Sequence, residues 1–358
     1  SGGYVTLAEH LRDAGYLTAA ITEGVAMRGR LGFAQGFERY DEGLHPESHA
    51  TGRVEHTFAT AEQWLARYGH LPFFLFVHTY EPHAPYDAPD DILAQYVDLN
   101  DPAETRIPKL DHTPAERAHA SNRYDAGIAY TDRALGGFLA RVREMELLED
   151  TLVIVFSDHG EAFWEHGIAG HTSGLHDPQL HVPLIVRFPG AAHGGTRVPR
   201  QVGLSDIFAT TLDVLGFEVP AGLDAASLRP LAQAPETGAY PRPHVVSNLV
   251  IEQPIPGVDP RYRELRSLRT GAYKLLQPRF AQPASNGSAD ALYNLQRDPG
   301  EQENVAGKET AIYGEMADEL ARFADEAARK RAAIQKQTDS GEALNEDDIE
   351  QLRALGYL

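Results

Sequence analysis

The segment Thr151-Leu-Val-Ile-Val-Phe-Ser-Asp158-His159-Gly160-Glu161 constrains this chain more than any other. Leu152 to Phe156 is a continuous apolar, β-branched run, with the length and composition of a strand buried on both faces. It ends abruptly in Asp-His-Gly-Glu. A carboxylate and an imidazole side by side at a strand end do little for a core, but they suit a divalent cation. In open α/β sheets ligands bind beyond the carboxyl ends of the strands. Neighbouring strand residues point to opposite faces, so Asp158 and His159 can share one ion only where the chain has turned, which Gly160 permits. Alone, the pair could equally be a helix cap and an ordinary loop histidine. Two further histidines within a dozen residues, His166 and His171, each beside a glycine, weight the reading toward a metal or oxyanion site. Imidazole with carboxylate suits zinc or manganese, and carboxylate alone also suits calcium or magnesium.

The rest of the chain reads as helix–strand alternation. Leu7, Leu11 and Ala14 share a helical face stopped at Gly15, and Leu17 to Ile21 is a strand. Thr51 to Tyr68 is an amphipathic helix, and Leu71 to Val77 a buried strand. Residues 84–113 form a long polar loop of the kind that binds or covers substrates. Thr113 to Met145 is helical with a weak point at Gly136-Gly137, Val182 to Phe188 is a strand, and Leu204 to Leu215 is a helix. This alternation predicts an α/β fold, a mostly parallel sheet sandwiched by helices. Leu17–Ile21, Leu71–Val77, Leu152–Phe156 and Val182–Phe188 are expected in that one sheet. The expected organisation is an α/β domain over 1–235, a Pro- and Ala-rich linker, a small antiparallel-sheet-plus-helix α+β subdomain over 240–335, and a polar tail with a short helix over 336–358.

Length and charge bound the function. A chain of 358 residues can bury a sizeable core. A net charge of -20, from 32 basic and 52 acidic side chains, argues against nucleic acid as a partner, because phosphate neutralisation needs Lys and Arg. A small anion is still accessible, since a metal and a few histidines dominate their own pocket. The chain has no cysteine, hence no disulfide. No apolar run approaches the roughly 20 residues that span a bilayer. It begins at Ser1 without Met or a visible signal peptide and reads as a piece of a longer protein.

Several stretches together resemble the sulfatase branch of the alkaline phosphatase superfamily: Ser157-Asp-His-Gly-Glu161, Glu165-His-Gly167, Gly170-His171 and His181–Gly190 with its Val-Pro-Leu-Ile strand. Thr6–Ala20, Phe73–Tyr86 with its Pro82-His83, Tyr124–Asp132, Leu268–Leu275 and Leu292–Pro299 agree in order. The resemblance implies a metal-dependent hydrolase of sulfate esters. Asp158 and His159 would be metal ligands, for one divalent ion (calcium, manganese or zinc). His83 and His171 would be catalytic groups, with His171 where many sulfatases carry a lysine. Glu161 would support the site without ligating. The nucleophile, a Cys-derived formylglycine or a Ser or Thr, would lie upstream of Thr6, so the fragment alone is expected to be inactive. The implied partner is a small anionic ester, such as a sulfated glycan, and the implied setting is periplasmic or extracellular. A phosphodiesterase or phosphoryl transferase of the same superfamily, or a silent glycan- or partner-binding module, are the alternatives. His166 and His78 could merely orient loops. Arg269 and Lys274 are expected on a solvated sheet face, and His176, His181 and His193 on loops and surface. His176 and Pro178 depart from the family's commoner Tyr and Glu.

Overall fold

The computed structural model describes residues 4–43, 53–101, 105–250, 262–280 and 290–335. The expected tail over 336–358, with its short helix, lies outside them. The chain divides into two compact units, one ending at Glu149 and the other running from Asp150 to Ala332. The boundary expected near 235–240 falls inside the second.

In the first unit, Thr6 caps α1 (Leu7–Asp13) through a reciprocal box with Glu9. Gly15, at φ 89°, ends that helix in the left-handed region that an L side chain avoids. Three parallel strands follow in the order β2 (Arg39–Asp41), β1 (Leu17–Ile21), β3 (Phe73–Val77), with Ala19 level with both Arg39 and Leu75. α1 and α2 (Arg53–Tyr68) cover this sheet. α2, the short α3 (Asp90–Leu93) and α4 (Pro114–Glu144) enclose a core of Val54, Phe58, Ile92, Leu93, Ala126 and Tyr130. The expected weak point at Gly136-Gly137 does not break α4. Both glycines sit over open space, so the only cost is their low intrinsic propensity.

In the second unit, β4 (Val153–Phe156) leads into a two-residue hairpin, β5 (Ala162–Phe163) with β6 (Ala169–Gly170), then α5 (Asp177–Leu180) and β7 (Leu184–Arg187). β4 and β7 pair antiparallel, Val153 opposite Arg187 and Phe156 opposite Leu184. Within the second unit these two strands of the expected sheet form a two-stranded ladder. An apolar run announces a strand, whereas its neighbour is chosen by tertiary register. This ladder is not buried on both faces: Phe156 is 39% and Ile185 62% exposed.

α6 (Asp206–Val214) and α7 (Arg229–Gln233) follow. The stretch expected to be a linker is instead packed, with Ala226, Leu228, Leu231 and Tyr240 forming a core of their own. The C-terminal part is the expected antiparallel sheet: β8 (His244–Val250), β9 (Tyr262–Thr270), β10 (Tyr273–Phe280) and β11 (Ala291–Asn294), in the order β11-β10-β9-β8. Leu268, Leu275 and Leu292 from this sheet meet Met316 and Leu320 of α8 (Thr310–Gln335). Among the described residues, no helix is long and apolar enough to cross a membrane.

Candidate active site

The second unit gathers Asp158, His159 and His171 beyond the end of β4. After Phe156 the chain turns: the Ser157 hydroxyl donates to the His159 carbonyl at 2.6 Å, and the His159 N–H donates to Asp158 Oδ1 at 3.0 Å. His159 Nδ1 lies 2.9 Å from the Gly160 carbonyl. A carbonyl only accepts, so Nδ1 carries the proton and Nε2 the lone pair. Nε2 is 4.0 Å from Asp158 Oδ1, and the Asp158 side chain is 67% exposed. Metal–ligand bonds of roughly 2.0–2.2 Å let one cation touch both atoms across such a gap. The residues therefore suit a divalent ion in tautomer and charge.

Gly160 has a different task from the one its turn suggested. A Cβ there would lie 2.2 Å from the Pro178 carbonyl oxygen, so the position requires glycine for close approach to α5.

The β5–β6 hairpin delivers His171. Its register, Ala162 opposite Gly170, sets Glu161 beside His171. His171 Nδ1 is 3.3 Å from Glu161 Oε1, and both side chains are nearly buried. The carboxylate fixes the Nδ1-protonated tautomer and directs Nε2 elsewhere. The His171 ring stacks on that of His159, centroids 4.2 Å apart and planes 18° from parallel.

His83 belongs to the first unit. Its Nδ1 lies 2.6 Å from the Ala84 carbonyl, and its ring meets the Tyr80 ring edge-on at 6.0 Å. His78 is on the same segment, edge-on to Tyr80 at 4.9 Å.

A second cluster was not legible as a unit. His166, His176 and Glu301 place three ligand atoms within 4.8 Å of one another and so could hold a metal ion. Two observations favour a proton network instead. The His166 and His176 rings are parallel within 8° at 3.6 Å, so their lone pairs run side by side rather than converge. The Lys274 ammonium already lies 2.8 Å from Glu301 Oε1. Burial, with His176 and Lys274 as neighbours, holds the His166 pKa below the usual imidazole range. Glu301 Oε2 takes hydrogen bonds from His176 Nδ1 at 3.2 Å and from the Asp177 N–H at 2.8 Å.

Lys274 and Arg269, expected on a solvated face, are instead tied to Asp177. Lys274 is fully buried, 3.0 Å from Asp177 Oδ1. Arg269 binds the same carboxylate through Nε at 3.1 Å and a terminal nitrogen at 2.8 Å. Burial pulls the Asp177 carboxyl upward, but Arg269 and Lys274 outweigh it and hold it at about 2. Lys274 stands opposite Arg269 across the β9–β10 ladder, a like-charge pair that is destabilising by itself and that Asp177 offsets.

Known proteins resemble the chain in both sequence and fold. The family model "Sulfatase" matches residues 2–217, and "N-sulphoglucosamine sulphohydrolase, C-terminal" matches 165–326. Human arylsulfatase K is 34% identical over 190 residues, covering 52% of this chain and 33% of that protein. An endo-4-O-sulfatase of Bacteroides thetaiotaomicron is 29% identical over 170 residues, 45% of this chain and 32% of that one. The chain thus spans about a third of these curated relatives. The phosphonate monoester hydrolase of Agrobacterium radiobacter superimposes with a TM-score of 0.67 at 21% identity, over 93% of this chain and 81% of that one. A protein solved with its substrate D-glucosamine-2-N,6-O-disulfate gives 0.67 at 18% identity, over 96% and 85%. The chain belongs to the sulfatase family and has the alkaline phosphatase-like fold of those structures.

Proposed function

We propose that the protein containing this chain is a metal-dependent hydrolase of sulfate esters, acting on a sulfated glycan. The observation that carries this is the His159–His171 stack beside Asp158, with Glu161 behind His171. A sulfate monoester presents one negative charge spread over its non-bridging oxygens, and hydrolysis adds charge at the leaving oxygen. The site must therefore supply cationic or donor groups from two sides.

Asp158 Oδ1 and His159 Nε2 would hold one divalent ion, whose identity among calcium, manganese and zinc is open. When bound, the ion supplies Lewis-acid stabilisation of a sulfuryl oxygen. His159 keeps its lone pair on that side because its Nδ1–H donates a hydrogen bond to the Gly160 carbonyl. His171 would donate from Nε2 to the ester, while Glu161 stabilises the imidazolium and holds the ring in orientation. His83 would act as a second donor to the leaving oxygen. The nucleophile, by resemblance, precedes the segment matching Thr6–Ala20, so activity belongs to the longer protein.

Relatives support the substrate class. An endo-4-O-sulfatase and an ulvan-active sulfatase are among them, and one structural neighbour holds a disulfated glucosamine. The test is turnover of the full-length protein on an aryl sulfate, on D-glucosamine-2-N,6-O-disulfate and on a phenyl phosphonate. Each is assayed after chelation and after return of calcium, manganese or zinc. Metal-dependent sulfate release with kcat/KM above that for the phosphonate is expected. Preference for the phosphonate would move the assignment to phosphoryl chemistry, and silence on all three would leave a binding module.

A further inference from the structure

The two histidines of the site are joined by one residue that touches neither. Gln179, in α5, is only 2% exposed. Its backbone carbonyl accepts the N–H of Gly160, next to His159, at 2.8 Å. Its side-chain Nε2 donates to the carbonyl of Gly170, next to His171, at 3.2 Å. Gly174 leaves the room this needs: a Cβ there would meet Gln179 Oε1 at 2.5 Å. A side chain of fixed length therefore spans the strand-end turn and the hairpin, and the spacing it sets is that of the two stacked rings.

A four-residue helix cannot hold its own position, since isolated short helices are unstable in water. α5 is held from outside. Its first residue, Asp177, is gripped by Lys274 and Arg269, and its N–H is taken by Glu301. Two cations face two carboxylates, so the cluster is balanced and turns α5 into a fixed post. The chain of contacts runs from the C-terminal sheet through Asp177 to Gln179, and from Gln179 to Gly160 and Gly170, the neighbours of the two histidines.

We propose that Gln179 is a positioning residue for catalysis, setting His171 against His159, with the Asp177–Lys274–Glu301 cluster as its anchor. The proposal rests on the active-site reading above. Gln179→Met keeps the backbone bond to Gly160 and the side-chain bulk, and deletes only the bond to Gly170. The Asp158–His159 pair stays as it is, whereas the His171 hairpin loses its tether. A displacement near 1 Å costs about 100-fold in rate.

The experiment is a double-mutant cycle in the full-length protein. Gln179→Met is expected to lower kcat about 100-fold, with KM and bound metal unchanged. In the background of His171→Asn, the same change is expected to cost almost nothing further, because residues acting as a unit are not additive. Multiplying losses, or an unchanged kcat in Gln179→Met, would overturn the proposal. If Gln179→Met does not fold, Gln179→Glu enters the same cycle; it keeps the shape and replaces the donor by an acceptor facing the Gly170 carbonyl. Should the wild type turn over no ester, the function reading fails by itself. The crystal structure of the variant then decides the positioning: loss of the His159–His171 stack upholds it, and an unchanged stack refutes it.

Discussion

His159 and His171 lie face to face, ring centroids 4.2 Å apart, although they come from a strand end and a hairpin. The stack works only if the two rings are not both positive. A metal on His159 requires its neutral form, and Glu161 is placed to support the charge of His171 alone. His171→Asn is therefore expected to reduce kcat by about 100- to 1000-fold, the usual cost of one preorganised donor. Glu161→Gln should lose about 10- to 100-fold, since it acts through His171. Steady-state kinetics of the two variants at saturating metal checks the order.

Asp158 is the anionic member of the proposed metal pair, and among the described residues its carboxylate is ion-paired only with His159, at 4.0 Å. Asp158→Ala is expected to leave the melting temperature within a degree or two, the usual range for an exposed surface position. It should also lower divalent-metal affinity by at least about 100-fold and abolish metal-dependent turnover. Metal content by elemental analysis, with wild-type content in the variant, would remove Asp158 from the site.

How much of this was legible follows from where the partners lie in sequence. The strand, the turn and the Asp158–His159 pair lie within a few residues of one another, so local pattern exposed them. α1 with its stop at Gly15 and the short strands β8–β11 were readable for the same reason. His176 looked like a surface histidine because its partner, Glu301, is 125 positions away and leaves no local trace. Lys274 was assigned to solvent because β-strand alternation cannot tell a wet face from one that receives a helix. Gly160 was read as a turn residue; its crowding against Pro178 depends on where α5 docks.

Glycine positions give a paired test of that docking. In Gly160→Ala the added methyl would sit 2.2 Å from a backbone oxygen, which cannot rotate away. A cost of about 1–3 kcal/mol is expected, together with a fall in kcat as His159 shifts. Gly136→Ala is the control. It lies inside α4 over open space, so the change should stabilise by about 0.5–1 kcal/mol and leave kcat alone. Denaturant titration of both variants reads the two signs.

Acid should weaken the second unit through Asp177. Burial raises its carboxyl pKa, Arg269 and Lys274 lower it, and the balance leaves it at about 2. In the unfolded chain it takes its proton near about 3.9. Between these values the unfolded state binds more protons, so stability rises with pH there. The Asp177 contribution is complete above about pH 4 and is lost as pH falls toward about 2. His166, lowered mainly by burial, adds a loss in the same direction, beginning as pH drops below about 6.5. Denaturation midpoints against pH should fall more steeply below about pH 4 in the wild type than in Asp177→Asn. Parallel curves would show that Asp177 titrates alike in both states.

Lys274 gives the sharpest test of the anchor. Its ammonium is fully buried between Asp177 Oδ1 at 3.0 Å and Glu301 Oε1 at 2.8 Å. Lys274→Met fits the same space but leaves Glu301 ionised and buried without its cation, while Arg269 still serves Asp177. Removing one partner of a buried pair costs about 3–5 kcal/mol, most of it from the stranded charge. Adding Glu301→Gln removes that charge, so the double variant should recover at least about 1 kcal/mol relative to Lys274→Met. A single variant within about 1 kcal/mol of wild type, or a double variant no better than the single, would mean that Lys274 is not the counter-charge of Glu301. Turnover should follow the same order, because α5 carries Gln179, whose carbonyl receives Gly160 and whose amide reaches Gly170.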